Sequence, residues 1–153
     1  MQVSVSVDID KNKTKVWQAI TDIEHSAGRI SGIDDIEVLD RPDDGLVGLK
    51  WRETRTMMGK EATEVMWITK AQQDDHYEVA ANSNGTAYLS RLLLTPSGEG
   101  TQLTMTFTGK PQTVLAKLMS AILMPFFKGS IVKMLQQDLN DIKAYVEAHS
   151  RDL

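Results

Sequence analysis

The chain has 153 residues, the size of one domain. A compact chain of that length buries roughly 70% of its unfolded surface, enough for a core and an internal cavity. Hydrophobic residues at 41% and charged residues at 25% exclude a disordered chain; 17 Lys+Arg against 21 Asp+Glu, a net charge of −4, argues against a nucleic-acid binder.

The N-terminus, Met1 to Asp8, lacks the basic stretch and apolar run of a signal peptide, so the expected location is the cytoplasm. Cysteine is absent, which rules out disulfides, thiolate catalysis and a cysteine-ligated zinc. Gln2 to Asp8 alternates Val3, Val5 and Val7 against polar residues, the pattern of a half-buried strand. Asp10 or Asn12 then caps a helix that runs to Asp22, with Val16, Trp17, Ile20 and Ile23 on one face. Trp17 is expected in the core. A second short helix is expected over Glu24 to Ile30, ending near Gly32.

Strands with turn punctuation follow. They are expected at Ile36 to Leu39, Val47 to Met57, Lys60 to Thr69, His76 to Asn82, Thr86 to Thr95 and Thr101 to Thr108. The turns are Arg41-Pro42-Asp43-Asp44-Gly45, Met58-Gly59, Asn82-Ser83-Asn84-Gly85 and Pro96-Ser97-Gly98-Glu99-Gly100. Regular spacing and hairpin-length turns predict an antiparallel meander. From Gln112 to His149 the period becomes helical, with Ile131, Leu135, Ile142 and Tyr145 on a broad stripe. One straight helix over that span would be about 57 Å long. It would overhang a body whose radius of gyration is about 15 Å. Pro125 therefore predicts a break or kink, with the main helix starting near Phe127. The apolar segment around it, including Leu115, Leu118, Met119, Ile122, Leu123 and Phe126, is expected to enter the core or to gate a cavity. An exposed remainder would suit a partner or a membrane surface. Lys117, Lys128 and Lys133 interrupt it, so no membrane span is predicted.

The features Val16-Trp17-Gln18-Ala19-Ile20-Thr21-Asp22, Trp51-Arg52-Glu53-Thr54-Arg55 running into Gly59, Leu94-Thr95-Pro96 restarting at Gly100-Thr101, and Leu139-Asn140-Asp141-Ile142-Lys143 with Glu147 carry a resemblance. The chain resembles the START-related SRPBCC superfamily, and within it the polyketide cyclase/dehydrase and lipid-transport proteins. The resemblance covers nearly all of residues 1–153 and implies one α+β helix-grip domain. In that fold a curved antiparallel sheet of about seven strands wraps a long C-terminal helix. It implies a cavity for a hydrophobic small molecule. The sequence itself shows no Gly-rich phosphate loop and no dinucleotide fingerprint, so no cofactor is expected. No catalytic motif of the family transfers residue by residue.

The hairpin around Gly59 fixes a constellation. A two-residue loop, Met58-Gly59, and a four-residue loop, Met57 to Lys60, give the same register, pairing Glu53 with Glu64, Arg55 with Ala62 and Trp51 with Met66. Leu49, Trp51, Glu53, Arg55, Ala62, Glu64, Met66 and Ile68 then share the more apolar, covered face, and Trp67 lies on the outer one. A three-residue loop would separate the two glutamates. Opposed carboxylates sit about 4.5–5.5 Å apart at Cβ and repel, so one would be protonated unless Arg55 neutralises it. Glu53 and Glu64 are thus candidate acid/base residues. Trp51, Glu53, Arg55, Glu64, Met66, Ile68, Tyr88, Met105, Phe107, Ile131 and Leu135 are candidate ligand contacts. The inward face of strands 76–82 and 86–95 stays open, and with it the direction of Tyr88. His25, His76 and His149 form no metal-ligand spacing. Three functions compete: binding of a lipid-, polyketide- or quinone-like molecule, a cyclase/dehydrase reaction, and a protein-interaction module.

Overall fold

A computed structural model of the chain describes residues 1–57 and 59–149. Seven strands form one antiparallel sheet: β1 (Gln2–Ile9), β2 (Ile33–Asp40), β3 (Lys50–Met57), β4 (Lys60–Gln72), β5 (His76–Ser83), β6 (Thr86–Ser97) and β7 (Gly100–Pro111). The order is β1-β7-β6-β5-β4-β3-β2, so the chain crosses from one sheet edge to the other after β1 and then meanders back. The crossing is made by helix α1 (Lys13–Thr21) and a short 3-10 helix (Ile23–Gly28). Asn12 is the cap, its side chain accepting from the Lys15 N–H at 2.9 Å. Val16, Trp17 and Ile20 are buried beneath α1, and Trp17 meets Tyr77 edge-on at 5.9 Å. The predicted second helix is thus a 3-10 segment, and β2 is longer than expected, beginning at Ile33.

The β3–β4 register is the one expected from the sequence: Met57 pairs with Lys60, Glu53 with Glu64 and Trp51 with Met66. Gly59 adopts φ +77°, a left-handed conformation that costs glycine least. Met58 lies outside the described residues. Val47 is exposed, and the strand starts only at Lys50. Trp67 pairs with Lys50 and Ala80 on the outer face and is half-buried there.

Helix α2 (Val114–His149) contradicts two expectations. It runs without interruption through Pro125, so no separate helix begins at Phe127. The apolar segment is also not core: Val114, Leu115, Leu118, Ile122 and Phe126 are exposed. At 1.5 Å per residue its 36 residues span about 54 Å. The break that would have shortened it is absent, and of its first half only Ala116 is fully buried. The second half is the core helix, burying Leu135, Leu139, Ile142 and Val146. They pack with Val5, Ile9, Val16, Trp17, Ile68, Leu94 and Leu103 into one hydrophobic cluster.

Candidate functional site

The pairing ladder decides which side chains face the helix. Met66 pairs with Ala81, Ala81 with Tyr88, and Tyr88 with Gly109. The neighbouring row is Ile68, Val79, Ser90, Phe107 and Val3. Tyr77, Val79 and Ala81 of β5 and Tyr88, Ser90 and Leu92 of β6 therefore point inward, which the sequence left open. Tyr88 stacks on Phe107 with ring centroids 5.4 Å apart. Its hydroxyl has no hydrogen-bond partner among the described residues, while the Tyr77 hydroxyl donates to the Ile20 carbonyl at 2.8 Å.

The concave face is packed unevenly. Trp51, Ile68 and Leu135, three of the expected ligand contacts, are fully buried in the core cluster and present no free surface. Met66, Tyr88, Met105, Phe107 and Ile131 are only half-buried. They lie toward the end of the sheet that the first half of α2 overlies, where Met124 and Phe127 are also half-buried. The Thr113 hydroxyl caps α2 by accepting from the Ala116 N–H at 3.0 Å, and Ala116 is buried beside Gly85 in the β5–β6 turn. The helix is thus held near its start and along its second half, and between these ties Met124 and Phe127 are only half-buried.

The charged constellation gains a member the sequence reading missed. Arg55 Nε donates to Glu53 at 2.7 Å, and its two terminal nitrogens donate to Asp138 on α2 at 3.1 and 2.8 Å. Trp51 Nε1 donates to the other Glu53 oxygen at 3.3 Å. Asp138 is 4% exposed and Glu53 8%. Gly32 makes room for the guanidinium: a Cβ there would stand 3.1 Å from Arg55 Nη1. Burial would lower the Arg55 pKa, but Asp138 and Glu53 more than offset it and hold Arg55 above its ordinary value, charged at any working pH. Burial pushes the Asp138 carboxyl up, with the Arg55 hydrogen bonds pulling the other way. Arg55 therefore does neutralise Glu53, and it is occupied in tying β3 to α2. Glu64 stands apart, accepting from the Ser83 hydroxyl at 2.9 Å. Among the candidate contacts, the Glu64 carboxylate and the Tyr88 hydroxyl are the polar groups outside the Arg55 network. One sequence signal for Asp138 exists: its spacing from Ile131, Leu135 and Ile142 sets a carboxylate inside an apolar stripe, which requires a buried partner.

The three histidines are dispersed. His25 contacts Asp22, His76 contacts Asp75, and His149 contacts the Tyr145 carbonyl. Among the described residues no His, Cys, Asp and Glu side chains cluster in a metal-holding group. Two depressions lie elsewhere. One of ≈ 90 Å³ is beside Thr21, Ile23, Arg41 and Leu46, and one of ≈ 240 Å³ is beside Ile9, Glu99 and Lys143. Neither contains a residue singled out from the sequence.

Comparison with solved structures shows the same architecture. TTHA0849 from Thermus thermophilus superposes with a TM-score of 0.82 at 17% identity, covering 99% of this chain and 100% of that one. The ZhuI aromatase/cyclase from Streptomyces sp. R1128 gives 0.72 at 13% identity, covering 99% and 96%. The di-domain aromatase/cyclase StfQ from the steffimycin biosynthetic pathway gives 0.80 at 10% identity, covering 97% of this chain and 52% of that one. None of the curated proteins matches the chain significantly in sequence. The fold is thus the helix-grip fold expected from the resemblance. The family model described as polyketide cyclase / dehydrase and lipid transport matches residues 1–147, and the chain belongs to that family.

Proposed function

We propose that the protein binds a hydrophobic or amphipathic small molecule, of lipid-, polyketide- or quinone-like chemistry, between the sheet and the first half of α2. The uneven packing of the concave face carries this reading. One end is solid core, while at the other Met66, Tyr88, Met105, Phe107 and Ile131 keep free apolar surface. A pocket of this kind is mostly apolar with a few polar groups that orient the ligand. Glu64 and Tyr88 are those groups, and the methionines adapt to irregular ligand shapes. The family's description, cyclase/dehydrase and lipid transport, supports the same chemistry. An acid/base role for the Glu53/Glu64 pair has less support, because the Glu53 carboxylate is taken up by Trp51 and Arg55.

The test uses protein labelled with 13C at the methionine methyls, titrated with laurate and with 1,8-dihydroxyanthraquinone. The Met66 and Met105 resonances are expected to shift with at least one of them. Glu64→Gln or Tyr88→Phe should weaken the anthraquinone about tenfold, the worth of one hydrogen bond to a polar group. Unmoved Met66 and Met105 resonances with both probes, in protein whose native and denatured masses agree, would overturn the proposal. A native mass excess lost on denaturation would support it.

A further inference from the structure

The outward face of α2 changes character along its length. In the second half it carries Ser130, Lys133, Gln137 and Asn140, all exposed, as a solvated helix should. In the first half the same side carries Val114, Leu115, Leu118, Ile122 and Phe126, also exposed, with Val114 at 84% and Phe126 at 78%. A contiguous apolar patch of that kind marks an interaction site. The charge distribution says what it meets. Residues 100–137 contain four lysines, Lys110, Lys117, Lys128 and Lys133, and no aspartate or glutamate. The rest of the chain holds 13 basic and 21 acidic residues. All four lysines are exposed. An acidic protein thus concentrates positive charge around an exposed apolar helix face.

We propose that the outward face of the first half of α2 docks on an anionic lipid bilayer, lying in the headgroup layer. Apolar residues on one side of a helix with flanking lysines are the pattern of an interfacial helix. The field of the four lysines would draw this face toward anionic headgroups while the acidic remainder is repelled, which sets the orientation. A second copy of the chain fits the face less well, because a two-fold contact would bring two lysine-bearing, acid-free segments together. By length and composition α2 is apolar enough to cross a membrane. Its second half is committed to the core through Leu135, Leu139 and Val146, so the first half can enter the interface without the helix spanning. Docking does not depend on whether a small molecule is bound between the sheet and α2.

The experiment is co-sedimentation of the full chain with phosphatidylcholine vesicles, with and without about 30% phosphatidylglycerol. The protein is expected to bind the anionic vesicles, to bind the neutral ones at least about tenfold more weakly, and to be released by salt. Leu118→Asp with Phe126→Asp should reduce anionic binding by about tenfold or more at unchanged thermal stability, since both positions are exposed. Lys117→Glu with Lys128→Glu should abolish the preference for the anionic vesicles. Failure of the wild-type chain to bind anionic vesicles would overturn the proposal, as would binding unchanged in the Leu118/Phe126 variant. A concentration-dependent dimer that the Leu118/Phe126 variant dissolves, without vesicle binding, would assign the face to self-association instead.

Discussion

Arg55 serves two carboxylates at once, Glu53 beside it on the strand and Asp138 on the opposite helix. Removing one member of a buried ion pair is costlier than never having had it, because the remaining charge stays out of water. Asp138→Ala should therefore destabilise the protein by about 3–5 kcal/mol, measured by urea unfolding. A loss below about 1 kcal/mol, the range of exposed ion pairs, would show that the pair is solvated in solution. Arg55→Met should also destabilise, since it leaves Glu53 and Asp138 buried together; a loss of ligand affinity in that variant would thus not identify a ligand contact. The opposition of Glu53 and Glu64 was legible from the sequence because a hairpin is local and its loop length sets the register. Asp138 lies 83 residues from Arg55. Nothing local links them, and only the apolar stripe around Asp138 signalled a partner.

At the scale of elements, α2 resolves a conflict between proline chemistry and helix continuity. Pro125 has no N–H to donate and crowds the preceding turn, a cost of about 3 kcal/mol in a helix interior. The helix continues regardless. Its first half has little packing to offset that cost, so stability along α2 should be graded. Amides of residues 118–129 should exchange faster than those of 131–146, measured by hydrogen exchange and mass spectrometry. Pro125→Ala should raise protection in the first half and leave the second half unchanged. Equal protection of the two halves in the wild-type chain would contradict this. The expected break rested on the proline and on the length of a straight helix, and the continuous helix overrides both. The apolar segment, expected in the core or beside a cavity entrance with any remainder exposed, lies largely exposed.

For the whole molecule, α2 is also fastened to the N-terminal third by carboxylates. Asp141 accepts from the Ser31 N–H at 2.9 Å and hydroxyl at 2.7 Å, and Glu147 accepts from the Asp10 N–H at 2.8 Å and from Lys143 at 2.7 Å. Burial would raise Asp141, but the Ser31 and Gln137 hydrogen bonds hold it below its ordinary value of 3.8. The Lys143 hydrogen bond, with that of Asp10, lowers Glu147 below 4.5. A depressed folded pKa means that the stability is present above the unfolded pKa and lost as pH falls through the folded one. Asp138, raised by burial, works in the opposite sense and is relieved by acid. Asp141→Asn isolates the fastening. Its unfolding free energy should fall less between about pH 5 and about pH 3 than that of the wild type. An identical acid limb in both proteins would dismiss the Asp141 contribution.

The sequence by itself determined the element order, the meander and the hairpin register, because strand alternation, turn chemistry and loop length act over a few residues. The family resemblance added the closure of that meander around a C-terminal helix. Tertiary structure alone decided which face of β5 and β6 turns inward, since both faces of those strands carry apolar side chains and only pairing with β4 and β7 breaks the tie. It alone decided that Asp138 meets Arg55, and that the first half of α2 leaves an apolar face exposed. The physical reason is common to all three: each depends on contacts between segments far apart in the chain, which local periodicity does not encode.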